Sequence, residues 1–314
     1  MMSDKINMRS LGWCIVGVLM AFSMFAGPDG DRIAQEYKVV SRNTMLSYDR
    51  LVFEFEGCEA WIVEPKTPAG DGRWVWCMEW PSAFQDRTGV KELLDSGYRW
   101  VTFNPSCGFF NPSFGYQIVH AGNQSDEMVA KRHRFQRYLV KALGLNEKCC
   151  LVGMSWGGFY SVRYASIHPE CVKAIYLDAP LLDFSTLASY RRIDKDTGKV
   201  VGEYEKLLKF YDFATADYVG ADDPFQSVNR AASIAKAKIP ILLLYGGKDT
   251  VVPPEKNCER FAPAFVKNGG ELYMEKRWPF GHHPHGVDPA EVIRIVNFFQ
   301  KAYNKSETQG GKSK

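Results

Sequence analysis

Apolar positions along the chain follow two periods. Over residues 49–66 two β-rich runs, Leu51-Val-Phe-Glu-Phe55 and Glu59-Ala-Trp-Ile-Val63, flank Gly57-Cys58 and predict an antiparallel hairpin. After a turn over 69–72, the unbroken apolar run Trp74-Val-Trp-Cys-Met78 suits a central strand buried on both faces. An amphipathic stretch over 88–96 predicts a helix, and 98–103 the next strand. From there strand and helix alternate: helix 129–145, strand 149–154, helix 156–167, strand 172–177, and later strand 240–245, helix 255–267, strand 271–276 and a closing amphipathic helix 289–303. Repeated strand–helix units imply an α/β protein whose mostly parallel central sheet is flanked by helices on both faces.

Two stretches break this rhythm. Residues 104–123 are rich in Gly, Pro and aromatics, including Phe109, Phe110, Phe114 and Tyr116, and are too long for an ordinary connection. Residues 181–235 separate two strands, carry many polar residues and read as a small helical insertion or cap. Both are candidates to face a substrate. The main domain is expected over 35–303, with a polar, disordered tail over 304–314.

Composition narrows the function. The chain is 46% apolar and 24% charged, an ordinary globular balance. Its net charge of +3 comes from 39 basic and 36 acidic residues mixed along the chain, without the basic block that a phosphate backbone requires, so no nucleic-acid partner is expected. The uncharged stretch 11–27 follows Lys5 and Arg9, the order of a secretory signal, which predicts a signal peptide over 1–26 and export to the periplasm or beyond. Ala21-Phe22-Ser23 and Ala26 offer cleavage sites. At 17 residues the stretch falls just below the roughly 18–20 that span a bilayer, so an uncleaved anchor is the alternative and the one expected membrane attachment. Cys14 lies inside the apolar run, which argues against a lipid there.

Eight cysteines become seven without the signal, an odd count with no disulfide framework in its spacing. Cys77, Cys149 and Cys150 sit in or beside apolar runs and read as buried thiols. No Cys-x-x-Cys or matched His/Cys spacing occurs, so no structural zinc is expected.

The candidate chemistry begins where strand 149–154 runs into Gly153-Met154-Ser155-Trp156-Gly157-Gly158 and then a helix, the setting of a nucleophile elbow. Such a turn strains the serine backbone and leaves no room for side chains two residues either side, which Gly153 and Gly157 avoid. It also sets Ser155 at a helix N-terminus, where free N–H groups favour negative charge. The alternative is a serine that merely caps the helix.

A serine hydroxyl needs a base, and the base a carboxylate to hold its tautomer. Tyr245-Gly-Gly-Lys-Asp249 puts a carboxylate just after an apolar strand, and Gly281-His-His-Pro-His-Gly286 lies between the last strand and the last helix. Asp178 also follows an apolar strand and is the rival acid. The chain order Ser155, Asp249, His282 matches one of the three common triad orders.

On the elbow, the Gly-Gly-Lys-Asp-Thr-Val-Val-Pro segment and the Gly-His-His-Pro-His segment, the chain resembles the α/β-hydrolase superfamily over residues 49–303. The segments Trp74-Val-Trp76 and Leu177-Asp-Ala-Pro180 resemble exported esterase-like hydrolases of polysaccharide-degrading bacteria. The resemblance implies that the base directly follows Gly, which selects His282, with His283 next in line. It implies an oxyanion hole made by the backbone N–H of Trp156 and one from the loop after residue 78; Pro81 has no N–H, which leaves Glu79 or Trp80. This loop departs from the usual His-Gly, and Glu79 could instead be a paired carboxylate shaping the pocket. Similar exported hydrolases carry Arg after the nucleophile. Trp156 stands there, which suggests an apolar or sugar-stacking floor.

The resulting expectation is a serine hydrolase that cleaves a carboxylic ester of a small molecule or glycan, acetyl and methyl esters foremost. Ser155 is its nucleophile, His282 its base and Asp249 its acid; no cofactor or metal is called for. The alternatives are a serine peptidase resembling prolyl oligopeptidase catalytic domains, whose gating domain finds no room in 314 residues, and a catalytically silent binding protein.

Overall fold

Alternation of side chains in the strands divides the core in two. In the computed structural model, which describes residues 28–103, 126–186, 192–193, 200–201, 222–282 and 289–305, nine strands form one twisted sheet with helices packed on either face. The hairpin expected between 49 and 66 is present as β2 (Tyr48–Phe55) and β3 (Cys58–Val63), antiparallel and closed by the Phe55↔Cys58 pair. Preceding it are two elements that the apolar pattern did not reveal, helix α1 (Pro28–Glu36) and edge strand β1 (Val39–Met45). Ile33 of α1 is buried in the core, so ordered structure starts ahead of the expected boundary at 35.

After the hairpin the sheet becomes parallel. Strands β4 (Trp74–Cys77), β5 (Arg99–Phe103), β6 (Cys149–Met154), β7 (Val172–Asp178), β10 (Ile241–Gly246) and β11 (Leu272–Arg277) complete it; β8 (Arg192–Ile193) and β9 (Val200–Val201) make a separate antiparallel ribbon. The sheet order is β1-β2-β3-β5-β4-β6-β7-β10-β11, with every pair from β5 onward parallel. The strands β4, β6 and β10 are buried at every position, as expected for strands covered on both faces.

One face of the sheet carries Trp74 and Trp76, whose rings stack 5.9 Å apart, with Leu151, Ile175 and Leu243. It packs against α1, α3 (Asp126–Leu143), α4 (Trp156–Ile167), α5 (Ala231–Lys236) and α6 (Cys258–Lys267). The opposite face carries Val75, Cys77, Val152 and Tyr176 and packs against α2 (Val90–Asp95) and α7 (Pro289–Asn304). Adjacent Cys149 and Cys150 thus belong to different cores. The six described cysteines, Cys58, Cys77, Cys149, Cys150, Cys171 and Cys258, are buried and form no disulfide among the described residues.

Both ends of the expected insertion belong to the core. Leu181, Leu182 and Phe184 are enclosed at its start, and Val228, Ala231 and Ile234 at its end, where Ser227 Oγ donates to Phe159 O (2.8 Å). Most of its interior lies outside the described residues, as do 1–27, the aromatic stretch 104–123 and the tail beyond 305. Among the described residues no helix is long and apolar enough to cross a membrane.

Candidate active site

Ser155 sits between β6 and α4 with φ 48° and ψ −118°, a left-handed backbone that a non-glycine residue adopts only under strain. The neighbourhood holds it there. Ser155 N donates to Asp178 O (3.1 Å) at the end of β7, and Ser155 O accepts from Gly158 N and Leu181 N (both 2.9 Å). Of the two glycines expected to relieve crowding, a Cβ on Gly153 would lie 2.7 Å from Gly157 O and one on Gly157 would lie 3.1 Å from the Glu79 Cβ; neighbouring Gly158 is tighter still, with a Cβ 2.3 Å from the Pro180 Cβ.

Asp249 lies in the turn after β10 with its side chain 1% exposed. Its Oδ1 accepts from Val251 N (2.9 Å) and Val252 N (2.8 Å), which fixes the carboxylate plane. Its Oδ2 lies 2.7 Å from His282 Nδ1, and His282 Nε2 lies 3.1 Å from Ser155 Oγ. A carboxylate only accepts, so Nδ1 carries the proton and the lone pair of Nε2 faces the serine hydroxyl. The rival acid is otherwise occupied: Asp178 Oδ2 accepts from Tyr176 OH (2.5 Å). Burial, then the Asp178 charge, holds the Tyr176 phenol well above its ordinary pKa, so it remains a donor. His283 lies outside the described residues.

Two main-chain contacts bring acid and base together. Gly247 N donates to Arg277 O (2.8 Å) and Lys248 N to Phe280 O (2.9 Å), zipping the acid turn to the segment that leads into His282. The approach is so close that a Cβ on Gly246 would lie 2.2 Å from Gly281 O.

The elements expected to form an oxyanion hole lie side by side. Trp156 opens α4, so its N–H is among the first-turn amides that lack an intrahelical acceptor. A Cβ on Gly157 would meet the Glu79 Cβ at 3.1 Å and Glu79 N at 3.3 Å, so the loop after β4 lies directly against the first turn of α4. Trp80 has a left-handed backbone (φ 59°) and Glu79 is 5% exposed.

The Trp156 indole corrects one expectation. It is 6% exposed and packs against Phe159 and Tyr160, with ring centroids 6.3 and 6.2 Å away, so it is part of the core rather than a floor open to substrate. Among the described residues the exposed aromatics are Phe84 (43%), Trp278 (62%) and Phe280 (46%), the last two within four residues of His282. The sequence signal was the Trp278-Pro-Phe280 run between the last strand and the histidine. Lys248 and Lys276 place their ammonium groups 5.5 and 5.6 Å from the Trp278 ring centroid.

A further residue that positions the site escaped the sequence reading. Buried Asn257 precedes α6, and its Oδ1 accepts from Leu182 N and Asp183 N (both 2.8 Å). Its Nδ2 donates to Pro253 O (3.0 Å) and Thr186 Oγ1 (3.2 Å). One amide thereby ties the loop carrying Asp249 to the segment that hydrogen-bonds the elbow.

Comparison with known proteins agrees with this architecture. A family model described as the alpha/beta hydrolase fold matches residues 85–215, less than half of the chain but including the elbow. No curated protein sequence matches. Among solved structures, the chain is similar to an esterase of Pyrococcus furiosus (18% identity, TM-score 0.53), with 85% of this chain and 92% of the esterase covered. It is similar to a puromycin-hydrolyzing peptidase of Mycobacterium tuberculosis (16%, TM-score 0.58), covering 83% of this chain and 40% of the peptidase. A third is an S-formylglutathione hydrolase of Agrobacterium tumefaciens (14%, TM-score 0.50; 85% and 97% covered). Sheet order, elbow and these likenesses together give the chain the α/β-hydrolase fold.

Proposed function

We propose that the protein is a serine hydrolase of carboxylic esters. The observation that carries this reading is the continuous line from Asp249 Oδ2 through the His282 ring to Ser155 Oγ, at 2.7 and 3.1 Å. Ser155 Oγ attacks the acyl carbon while His282 Nε2 takes its proton, and the buried Asp249 carboxylate stabilises the imidazolium. The backbone N–H of Trp156 and one from Glu79 or Trp80 hold the oxyanion. His282 then returns the proton to the departing alcohol, leaving an acyl-serine. Water, deprotonated by His282, attacks that ester and releases the acid and the free serine.

Ester rather than peptide cleavage is supported by extent. The likeness spans 92% of the Pyrococcus esterase and 97% of the Agrobacterium hydrolase, against 40% of the peptidase. The peptidase reading draws on the TM-score of 0.58 with that same peptidase. For the natural substrate we favour acetyl or methyl esters on a glycan outside the cytoplasm. Support comes from the signal-like N-terminus, the likeness of the 74–76 and 177–180 segments to exported esterase-like hydrolases, and the exposed Trp278 and Phe280, on which a sugar face can stack.

Turnover of p-nitrophenyl acetate by the parent and Ser155→Ala proteins tests the chemistry. The variant is expected to lose nearly all activity at unchanged Tm, and the parent to be labelled by a fluorophosphonate; equal rates would overturn the assignment. Release of acetate or methanol from esterified polysaccharides tests the substrate, and silence on both removes the glycan. Prolyl-aminoacyl substrates turned over faster than esters would select the peptidase.

A further inference from the structure

At the opposite end of β7 from the elbow, His133 of α3 meets the Glu170-Cys171 pair between α4 and β7. Cys171 Sγ lies 3.6 Å from His133 Nδ1 and 3.6 Å from Glu170 Oε1, and the three donor atoms all lie within 4.8 Å of one another. Among the described residues this is the one group of three ligand-type side chains so close together. From these distances we propose a divalent transition-metal site, of zinc type, built by His133 Nδ1, Cys171 Sγ and a Glu170 carboxylate oxygen.

The spacing fits the ion. With zinc–sulfur and zinc–nitrogen bonds of about 2.3 and 2.0–2.1 Å at a tetrahedral angle, the two donors lie about 3.6 Å apart. The observed 3.6 Å therefore accommodates the metal without moving either element. Donor chemistry points the same way. Imidazole and thiolate suit a borderline ion, while the carboxylate disfavours copper(I) and the thiolate disfavours magnesium or calcium. On binding, the Cys171 proton passes to solvent, and the thiolate and carboxylate bring two negative charges to a doubly charged cation.

The surroundings supply support and access. His168 Nδ1 lies 3.4 Å from Glu170 Oε1, and its ring stacks on that of His133 at 4.1 Å and 7°. It thus braces two of the three ligands, as outer partners do in metal sites. His133 and His168 also line a surface groove of about 550 Å³ that adjoins the cluster on the histidine side and does not include Glu170 or Cys171. The Glu170 side chain is 63% exposed, whereas Cys171 is buried at 3%. Three protein ligands with an exposed flank leave the fourth position for water or an external ligand. Sequence spacing could not show the site, because its histidine lies 38 residues from its cysteine on another element.

Titration of the intact protein with cobalt(II), followed by zinc competition, tests the proposal independently of hydrolysis. Expected are one thiolate-to-cobalt charge-transfer band that saturates at one ion per chain, loss of that band in Cys171→Ser, and at least tenfold weaker binding in His133→Gln, which lies on a half-exposed helix position. His282→Ala, which removes the imidazole of the Ser155–Asp249 site, should leave the band unchanged. A band absent from the parent, surviving Cys171→Ser, or equally tight in His133→Gln would overturn the site and leave a hydrogen-bonded thiol–imidazole cluster only.

Discussion

Gly246 and Gly281 pass so close that a methyl group on Gly246 would stand 2.2 Å from the Gly281 carbonyl oxygen and 2.4 Å from that of Phe280. The contact sets the distance between the acid turn and the base. Gly246→Ala should therefore displace His282 while leaving all three triad side chains present. Because a misplacement of about 1 Å can cost ~10²-fold, kcat on p-nitrophenyl acetate is expected to fall at least that far, with a stability loss of roughly 1–3 kcal/mol. Steady-state kinetics beside thermal unfolding check it; an unchanged kcat refutes the role.

Asp249→Asn retains an oxygen able to accept from Val251 N and Val252 N but can present an N–H to His282 Nδ1, which favours the wrong tautomer. Turnover should drop about 10⁴-fold with little change in Tm. Asp178→Asn, whose carboxylate serves Tyr176, should retain far more activity. Reversal of that ranking would mean that Asp178 is the acid.

Trp278→Ala separates binding from chemistry. If a sugar stacks on the exposed indole, the loss of about 0.5–1.5 kcal/mol raises KM for a glycan ester by roughly 2–13-fold, while p-nitrophenyl acetate is turned over as before. Equal effects on both substrates would assign Trp278 a structural role.

Asn257→Ala strips the acceptor from two enclosed amides, Leu182 N and Asp183 N. With about 1–3 kcal/mol for each of the two unsatisfied buried donors, a total of roughly 2–6 kcal/mol is expected, seen as a Tm lower by about 4–24 °C. Asn257→Asp keeps an acceptor oxygen and should recover part of the loss. A Tm unmoved by the alanine change would show that the bridge contributes nothing.

Alkaline pH probes the core. Burial holds the thiols of Cys77, Cys149, Cys150 and Cys258 well above their ordinary pKa. In the unfolded chain they ionise near pH 9, so beyond that pH the folded state retains protons that the unfolded state has released. Their contribution is complete below pH 9 and falls as pH rises, by up to about 1.4 kcal/mol per unit for each thiol. Urea midpoints at pH 7.5 and 10 should differ steeply; equal midpoints would contradict the burial.

What the sequence made legible is what local pattern encodes. Strand, sharp turn and helix follow one another around Ser155, and Asp249 follows an apolar strand directly, so neighbours in the chain disclose their setting. Strand β1 was not legible because its half-exposed edge alternates with polar residues such as Ser41, Arg42 and Asn43, which carry no buried-strand signature. The rotation of α4 that turns Trp156 into the core is set by Phe159 and Tyr160 packing, which a motif position does not specify. Asn257 joins segments more than seventy residues apart, and no spacing rule reports such a bond. His283, residues 104–123 and most of the 181–235 insertion lie outside the described residues.

The pleat that sends Cys149 and Cys150 to opposite sides of β6 has a consequence for where the chain can mature. Neighbours on a strand aimed at different layers cannot bond to one another without undoing the sheet. In the folded sheet both sulfurs are fully enclosed, so this pair should stay reduced in oxidising and reducing surroundings alike once the sheet has formed.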